Sequence, residues 1–309
     1  MSIVIFSKVI KAKPWIAALK GAAPDVEILT YDQVRDKEKV LFALAWDHPR
    51  GIFKEYPNLK CISSMGAGVD HIMSDPDIPE QVEVVRIADP LLSQDLAEFA
   101  LSVVMNHMRG LTHYQNLQHQ KTWKKRMYKR ISDVRAGVMG TGVIGDHVVK
   151  FLLSSGFSVT GWGKSPGKKE KYKRFHGIDQ LDEFLSTPDI LICLLPLTPE
   201  TRGILNKRNL EKLPRGAFVI NLGRGPHVVD QDLMEMIDKG HLSGAHLDVF
   251  AQEPLPPGHP FWSHPSIHIT PHVASITTPK SVAPQIIENY RRALRDEELL
   301  NVVDRKKGY

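Results

Sequence analysis

The stretch Val138-Met139-Gly140-Thr141-Gly142-Val143-Ile144-Gly145 determines how the rest of this 309-residue chain is interpreted. Its glycines are spaced as G-x-G-x-x-G directly after an apolar run, and apolar side chains recur with helical spacing at Val148, Phe151 and Leu152. A strand, a glycine-rich turn and a helix in this order predict a dinucleotide site, because unpaired N–H groups at a helix N-terminus can bind a pyrophosphate. The residues expected to form it are Gly140, Thr141, Gly142, Val143, Ile144 and Gly145.

Short apolar runs continue on both sides of this stretch, separated by helical or turn-rich segments. The earlier runs lie at 3–6, 26–30, 40–46, 59–64 and 82–87, and the later ones at 134–139, 157–163, 189–195, 217–222, 244–250 and 267–270. Such alternation is typical of parallel sheets covered by helices. The predicted fold class is therefore α/β, with two doubly wound parallel-sheet domains, one flavodoxin-like and one of the Rossmann type.

The length of the chain and its 42% hydrophobic content are sufficient for two cores. A helical pattern at about 92–120 separates the two series of runs and is interpreted as one uninterrupted connecting arm. We predict a discontinuous substrate-binding domain of residues 1–101 and 283–309, and a nucleotide-binding domain of residues 102–282.

Composition narrows the possible partners. The formal charge of +5 is compatible with an anionic small ligand, and the basic residues lie in no nucleic-acid-binding motif. No apolar run reaches the roughly 18 residues of a membrane-spanning helix. Cys61 and Cys193 lie inside apolar runs, which favours packing roles over a disulfide or a metal site. We expect a cytoplasmic protein with no metal, membrane or nucleic-acid partner.

The end of the second strand after the glycine-rich turn indicates which dinucleotide is bound. NAD sites usually place an Asp or Glu there for the ribose 2′-hydroxyl, but this chain has Gly163, Lys164 and Ser165. A cation and a hydroxyl suit a 2′-phosphate, so NADPH is the predicted cofactor and NADH remains possible. A basic cluster begins at the same place and comprises Lys164, Lys168, Lys169, Lys171, Lys173 and Arg174. It either strengthens the positive potential at this strand end or is only a solvated face.

Further motifs carry a family resemblance. They are Gly66-Ala67-Gly68-Val69-Asp70, Asp95-Leu96-Ala97-Glu98, Leu195-Pro196-Leu197-Thr198-Pro199-Glu200-Thr201, Asn221-Leu222-Gly223-Arg224-Gly225, Leu247-Asp248-Val249-Phe250, Glu253-Pro254-Leu255-Pro256 and Thr270-Pro271-His272-Val273-Ala274. In order and spacing they resemble the D-isomer-specific 2-hydroxyacid dehydrogenases. Trp46, the Trp-Gly-Lys-Ser segment and the closing residues 303–309 look most like the A-type glyoxylate/hydroxypyruvate reductases.

The residue types agree with the chemistry that the resemblance implies. Reduction of a 2-oxo acid requires a cation for the carboxylate, which the planar fork of Arg224 can supply. The resemblance implies that His272 donates the proton to the carbonyl oxygen, and Glu253 is expected to pair with its imidazole and favour the protonated ring. Arg224, Glu253 and His272 are thus the predicted catalytic residues, although a surface salt bridge and a turn carboxylate are the ordinary alternatives for the first two.

The remaining candidates follow the same motifs. The resemblance implies that Asp248 accepts a hydrogen bond from the nicotinamide carboxamide. Further cofactor contacts are expected from Gly163, Lys164, Ser165, Leu195, Pro196, Thr201, Leu222, Gly223 and Arg224. Substrate contacts are expected from Trp46, Gly66, Ala67 and Gly68, together with Arg224 and His272.

The predicted function is NADPH-dependent reduction of small 2-oxo acids, such as glyoxylate or hydroxypyruvate, to D-2-hydroxy acids. A homodimer is expected, since the arm helix has a broad apolar face. Three alternatives stay open: another 2-oxo acid substrate, a dinucleotide-sensing interaction protein of the corepressor type, and a nucleic-acid-binding protein.

Overall fold

The computed structural model describes residues 1–166, 171–305 and 308. The strands are β1 Ser2–Ser7, β2 Glu27–Thr30, β3 Val40–Trp46, β4 Cys61–Ser64, β5 Glu83–Val85, β6 Arg135–Met139, β7 Ser158–Gly163, β8 Lys173–His176, β9 Ile190–Cys193, β10 Ala217–Asn221, β11 Leu242–Leu247 and β12 Ile267–Ile269. The helices are α1 Ala12–Ala22, α2 Asp70–Met73, α3 Pro90–Arg109, α4 Leu111–His119, α5 Val143–Ser154, α6 Leu181–Leu185, α7 Lys207–Leu210, α8 Asp230–Asp238 and α9 Pro279–Leu294. Short 3₁₀ turns lie at Tyr31–Gln33, Lys37–Lys39, Ile52–Glu55, Ile131–Asp133, Ile178–Gln180, Gly225–His227 and Pro260–Trp262.

The chain forms two compact units, one of Met1–Pro90 with Thr277–Tyr309 and the other of Leu91–Ile276. The predicted boundaries at 101/102 and 282/283 fall inside α3 and α9, whereas the units divide at the start of each of these helices. A helix packs as a whole through one apolar face, which is why the division lies at its first turn. The substrate and cofactor roles of the two units stay predictions at this point.

The first unit contains a parallel sheet with strand order β2-β1-β3-β4-β5, which is the flavodoxin-like order. Its central strands are buried on both faces, as expected when helices cover both sides of a parallel sheet. Helix α9 brings the end of the chain back to this unit, where it packs on α1, and the Tyr290 hydroxyl donates to the Met1 carbonyl at 2.8 Å.

The second unit contains a parallel sheet with strand order β12-β11-β10-β9-β6-β7-β8, which extends the Rossmann order by one strand. The direction of winding reverses between β6 and β9. In such sheets ligands bind beyond the carboxyl ends of the strands at this reversal, which here is where the glycine-rich turn begins. The predicted fold class, α/β with two doubly wound parallel sheets, is confirmed.

Two local predictions were wrong. The arm helix is interrupted at Gly110, whose φ of +67° ends α3 before α4 begins. Strand β8 was missed because it lies inside the basic cluster and Phe175 is the one buried side chain among its four residues. Lys168 and Lys169 of that cluster, and Lys306, Lys307 and Tyr309 of the closing motif, lie outside the described residues.

Both cysteines are free and fully buried, which confirms the packing role predicted for them. Burial raises the pKa of the Cys193 thiol to about 12, so this thiol stays protonated at neutral pH. Within the described ranges, no helix is both long enough and apolar enough to cross a membrane. The same ranges contain no group of three or more His, Cys, Asp and Glu side chains that could hold a metal ion.

Candidate active site

The loop that carries His272 follows β12 and is held by the carboxylate of Asp248. Asp248 is 1% exposed and accepts hydrogen bonds from the Thr270 hydroxyl at 2.6 Å and from the N–H groups of Val273 at 3.0 Å and Ala274 at 2.9 Å. The His272 N–H donates to the Asp248 carbonyl at 2.8 Å. His272 has φ +53°, a conformation that is rare outside glycine and that here depends on the surrounding hydrogen bonds.

Glu253 fixes the ring of His272. Its Oε2 lies 2.7 Å from His272 Nδ1, while Oε1 accepts the Phe250 N–H at 2.9 Å. Burial acts to raise the pKa of Glu253, but hydrogen bonds from His272 and Phe250 and the positive charges of His272 and Arg224 outweigh it and lower the pKa below its usual value. Glu253 is therefore ionised near neutral pH, and His272 Nε2 is the ring nitrogen left for a substrate.

Arg224 stands in a short loop after β10 whose polar atoms are paired internally. The Asn221 side chain accepts the Gly223 N–H at 3.1 Å and donates to the Arg224 carbonyl at 2.9 Å. The ring of His227, which is fully buried, accepts the Arg224 N–H at 3.1 Å through Nδ1. The guanidinium Nη1 donates to the Gly223 carbonyl at 2.8 Å. These contacts fix the backbone from which the guanidinium projects.

The Arg224 loop and the loop that carries Glu253 touch through Gly225. A Cβ at this position would lie 1.8 Å from the carbonyl carbon of Phe250, so only glycine allows the two backbones to approach this closely. Since the charge of Arg224 also lowers the pKa of Glu253, the structure brings Arg224, Glu253 and His272 together within the second unit.

The glycine-rich turn between β6 and α5 has the geometry of a pyrophosphate site. Gly140 has φ +98°, and a Cβ there would lie 2.7 Å from the Leu194 backbone. A Cβ at Gly145 would lie 1.8 Å from the Gly140 carbonyl oxygen, whereas one at Gly142 would meet nothing within 4 Å. The turn is thus compact on its inner side and open at Gly142, where the first N–H groups of α5 have no partner within the helix.

Thr141 and the end of β7 have the features that a bound dinucleotide requires. Thr141 is 4% exposed, yet its hydroxyl has no hydrogen-bond partner in the described part of the chain. Gly163 ends β7 beside this hydroxyl, and Lys164 and Ser165 follow it with exposed side chains. A buried unpaired hydroxyl next to an open helix N-terminus fits a polar ligand that supplies the missing partner.

Residues 101–274 match the sequence profile of the D-isomer specific 2-hydroxyacid dehydrogenase family, in its NAD-binding domain. The chain belongs to this family. The family predicted from the sequence motifs is confirmed, and so is the enzyme class, an NAD(P)-dependent dehydrogenase.

Relatives over the full length extend this result. The chain is 38% identical to glyoxylate/hydroxypyruvate reductase A of Photorhabdus laumondii and 36% identical to that of Serratia proteamaculans, each alignment covering 100% of both chains. A D-isomer specific 2-hydroxyacid dehydrogenase of Xanthobacter autotrophicus solved with NADPH and MES has a TM-score of 0.94 and 39% identity, covering 100% of this chain and 99% of its own. An NADPH-dependent glyoxylate/hydroxypyruvate reductase of Sinorhizobium meliloti solved with NADP and sulfate has a TM-score of 0.93 and 35% identity, covering 100% of both.

Other predicted cofactor residues of this dehydrogenase lie after β9 and β10 and at the start of α5. Leu195 is 5% exposed and its carbonyl oxygen lies 3.0 Å from where a Cβ of Gly223 would stand. The Thr201 hydroxyl donates to the Pro196 carbonyl at 2.7 Å and accepts the Thr198 N–H at 2.8 Å. These two hydrogen bonds hold the conformation of residues 196–201. Val143 and Ile144 start α5, and Leu222 is buried after β10.

The predicted substrate residues of the first unit cluster around Trp46 at the end of β3. A Cβ at Gly66 would lie 2.9 Å from the indole ring, which requires glycine there. The Gly66 N–H already donates to the Ser64 hydroxyl at 3.1 Å, and that hydroxyl donates to the Gly68 carbonyl at 2.7 Å. Gly66, Ala67 and Gly68 stay predicted substrate residues, and the N–H of Gly66 already has a partner within the loop.

Three supporting residues were not predicted: Asn221, His227 and Thr270. Each contacts the backbone or the carboxylate that holds a catalytic candidate. Asn221 ends a strand two residues before Gly223, and a side chain bonded to the backbone two residues ahead is a common turn feature. That spacing was the available signal. For His227 and Thr270 the sequence offers none, since their partners are set by the fold.

Proposed function

We propose that this enzyme reduces glyoxylate and hydroxypyruvate to the corresponding D-2-hydroxy acids, with NADPH as the preferred cofactor. The observation that carries the proposal is the His272–Glu253 pair beside Arg224 in a chain that aligns end to end with glyoxylate/hydroxypyruvate reductases. The absence of a carboxylate at Gly163–Ser165 and the solved relatives that hold NADPH or NADP support the cofactor preference.

In this reaction the bound cofactor supplies a hydride to the carbonyl carbon. Arg224 binds the substrate carboxylate and polarises the adjacent carbonyl with its planar fork. His272 Nε2 delivers a proton to the carbonyl oxygen, so that the C=O becomes CH–OH. Glu253 remains ionised, and its carboxylate holds His272 Nδ1 at 2.7 Å, which orients the ring with Nε2 left for the substrate. Asp248 holds the backbone of the His272 loop and, as the family resemblance implies, accepts a hydrogen bond from the cofactor's carboxamide.

We assign substrate binding to the first unit and cofactor binding to the second. The glycine-rich turn and the catalytic candidates lie in the second unit, whose residues 101–274 match the family's NAD-binding domain. In the first unit, Trp46 against Gly66 offers a flat apolar wall, and Ala67 and Gly68 offer backbone donors for a carboxylate. An indole wall favours small substrates.

The test is a steady-state panel of glyoxylate, hydroxypyruvate, pyruvate and 3-phosphohydroxypyruvate with NADPH and with NADH. We expect the first two acids with NADPH to give the highest kcat/KM. A preference for pyruvate or 3-phosphohydroxypyruvate would contradict the substrate assignment. If no 2-oxo acid is reduced while the protein still binds NADPH, the alternative of a dinucleotide-sensing protein gains the support.

We further propose a homodimer, and two segments support it. On α3, Leu91 is 58% exposed and four more apolar side chains are only partly buried, namely Leu96, Phe99, Leu101 and Met105. Larger exposed apolar side chains lie on the segment after α4, where Trp123 is 95% exposed and Met127 is 94% exposed. Such exposure is unusual for a monomer and suits a second copy of this chain. Light scattering at micromolar concentration should give a dimer, and Trp123→Ser combined with Met127→Ser should weaken it.

We place the enzyme in the cytoplasm. Its two cysteines are unpaired, which fits a reducing compartment. Cell fractionation with an antibody to the chain tests this assignment, and recovery of the protein from an oxidising compartment would contradict it.

A further inference from the structure

Gly163, Thr141 and Arg174 meet at the ends of β7 and β8, at a place that we call the strand-end gap because Gly163 has no side chain there. A Cβ at Gly163 would lie 3.0 Å from the Thr141 hydroxyl oxygen and 3.2 Å from Nη2 of Arg174, which is tight contact with both groups. Arg174 lies on β8, where it pairs with Gly161 of β7. The glycine therefore allows a hydroxyl and a guanidinium to approach the end of β7 next to the glycine-rich turn.

Each of the two side chains has a donor without a partner among the described residues. The Thr141 hydroxyl and the Arg174 Nε are shielded from solvent and have no hydrogen-bond partner among residues 1–166, 171–305 and 308. Nη2 of the same guanidinium makes a long contact of 3.5 Å with the Ser165 carbonyl. Leaving buried donors unpaired is unfavourable, so the two side chains suit an acceptor from outside the described residues, such as a bound ligand.

The neighbouring cations differ from Arg174 in this respect. Lys164 lies 3.6 Å from Glu200, and Lys173 lies 2.8 Å from Glu183, with all four side chains at least 60% exposed. In the part of the chain that the structure describes, Arg174 has no ion pair with a carboxylate. Of these three cations it is the one whose donors face the glycine-rich turn without a competing anion.

We propose that Arg174 and Thr141 bind the 2′-phosphate of NADPH in the strand-end gap, and that Arg174 contributes more than Lys164 to the choice of cofactor. The inference rests on the proposed function, in that it takes NADPH as the ligand. A phosphate offers three acceptor oxygens, which suit the two-pronged donor face of a guanidinium and one hydroxyl donor. The 2′-hydroxyl of NADH carries no charge, so it gains far less from Arg174.

The test measures binding of the adenosine end alone, by calorimetry of the full-length protein with adenosine 2′,5′-bisphosphate and with 5′-AMP. We expect Arg174→Gln to weaken bisphosphate binding by about tenfold or more, the loss of one charge-assisted contact, and to leave 5′-AMP binding nearly unchanged. Arg174→Lys keeps the charge and should lose less. Lys173→Gln is the matched control, since it removes one positive charge from the same edge of the sheet, and Lys164→Gln is the variant against which the larger contribution of Arg174 is measured.

Steady-state kinetics give a second readout. Arg174→Gln should lower the ratio of kcat/KM for NADPH to that for NADH by the same factor, through KM, because the adenosine end takes no part in hydride transfer. Unchanged 5′-AMP affinity shows that the variant is folded. The inference is wrong if Arg174→Gln loses no more bisphosphate affinity than Lys164→Gln, or if the wild type does not prefer the bisphosphate to 5′-AMP.

Failure of the proposed function would look different. A wild type that reduces glyoxylate with NADPH but shows no Arg174 effect overturns the inference alone. An Arg174 effect on bisphosphate binding, in a protein that reduces neither glyoxylate nor hydroxypyruvate, supports the inference and contradicts the proposed substrates.

Discussion

The loops that carry the catalytic candidates and the strand-end gap satisfy their polar groups in opposite ways. Around Arg224 and His272, the supporting atoms of Asn221, His227 and Asp248 are all paired with the chain itself. At the gap, the Thr141 hydroxyl and the Arg174 Nε are unpaired among the described residues. Both regions lie in the second unit.

This difference shows that the catalytic loops are preorganised before any ligand binds, whereas the strand-end gap is not. A proton donor and a residue that binds the substrate carboxylate work only if their positions are fixed in advance. Internal hydrogen bonds fix these positions. A phosphate pocket can instead leave its donors unmet, because the ligand completes them. Substitutions in the catalytic loops should therefore lower kcat, with or without a change in the KM for substrate, whereas substitutions at the gap should act mainly on the KM for cofactor.

Replacing His272 with Ala should have the largest effect. Loss of the proton donor should lower kcat for glyoxylate reduction by about 10²- to 10⁴-fold, as for other general acids, while NADPH affinity stays close to that of the wild type. The matched control is His119→Ala, which removes an exposed histidine at the end of α4. Turnover of His272→Ala at the wild-type rate would refute the assignment.

Replacing Arg224 with Lys should have the second-largest effect on activity. An ammonium keeps the charge but cannot contact the carboxylate and polarise the carbonyl at the same time, so KM should rise and kcat should fall together. We expect kcat/KM to drop by about 10- to 100-fold, which corresponds to one charge-assisted hydrogen bond. Arg208→Lys on α7 is the matched control. A variant with unchanged kinetics would show that Arg224 does not touch the substrate.

Replacing Glu253 with Gln should lower kcat by about tenfold, because the neutral amide accepts a weaker hydrogen bond from His272 Nδ1 and holds the ring less firmly. The pKa of the Glu253 carboxyl lies below its usual value, so in the wild type the charged carboxylate should persist through the neutral range and be lost only as the pH falls through that lowered pKa. Any acid limb of kcat that comes from Glu253 should therefore be absent from Glu253→Gln. A pH profile of kcat from 4 to 9 for both proteins measures this. Equal kcat in the two proteins would separate Glu253 from the proton-transfer step.

Replacing Gly163 with Ala should have the smallest effect and should fall on cofactor binding. A methyl group would stand 3.0 Å from the Thr141 hydroxyl oxygen and 3.2 Å from Arg174 Nη2, so it partly fills the gap. We expect KM for NADPH to rise by about fivefold, the low end of the cost of overpacking, with kcat unchanged. Gly21→Ala in α1 is the control, since a Cβ there meets nothing within 4 Å. A fall in kcat instead would contradict the division between the two regions.

Most of the fold was predictable because buried parallel strands are continuous apolar runs, and each predicted run overlaps an observed strand. Strand β8 was the exception. It is the edge strand of its sheet, so it needs only one buried side chain, Phe175, within a basic sequence. The break at Gly110 was missed because the apolar spacing continues across it, and only the backbone conformation reveals the end of the helix.

The site was predictable where motifs name residues and unpredictable where contacts span the fold. The pairing of Glu253 with His272, 19 positions apart, followed from the family resemblance, and the structure has it at 2.7 Å. The three hydrogen bonds that occupy Asp248 depend on how β11 and β12 align, which no local pattern encodes. Arg174 reaches Gly163 only because β8 pairs with β7.

The close approach of Gly225 to the Phe250 backbone has a consequence for loop transplantation between relatives. Because the two loops meet without any side chain between them, no rotamer change can absorb a difference in the length or path of either one. The two loops therefore have to be exchanged together, although 25 positions separate the two contacting residues in the chain. A chimaera that imports the Arg224 loop from another dehydrogenase must import that enzyme's Glu253 loop with it.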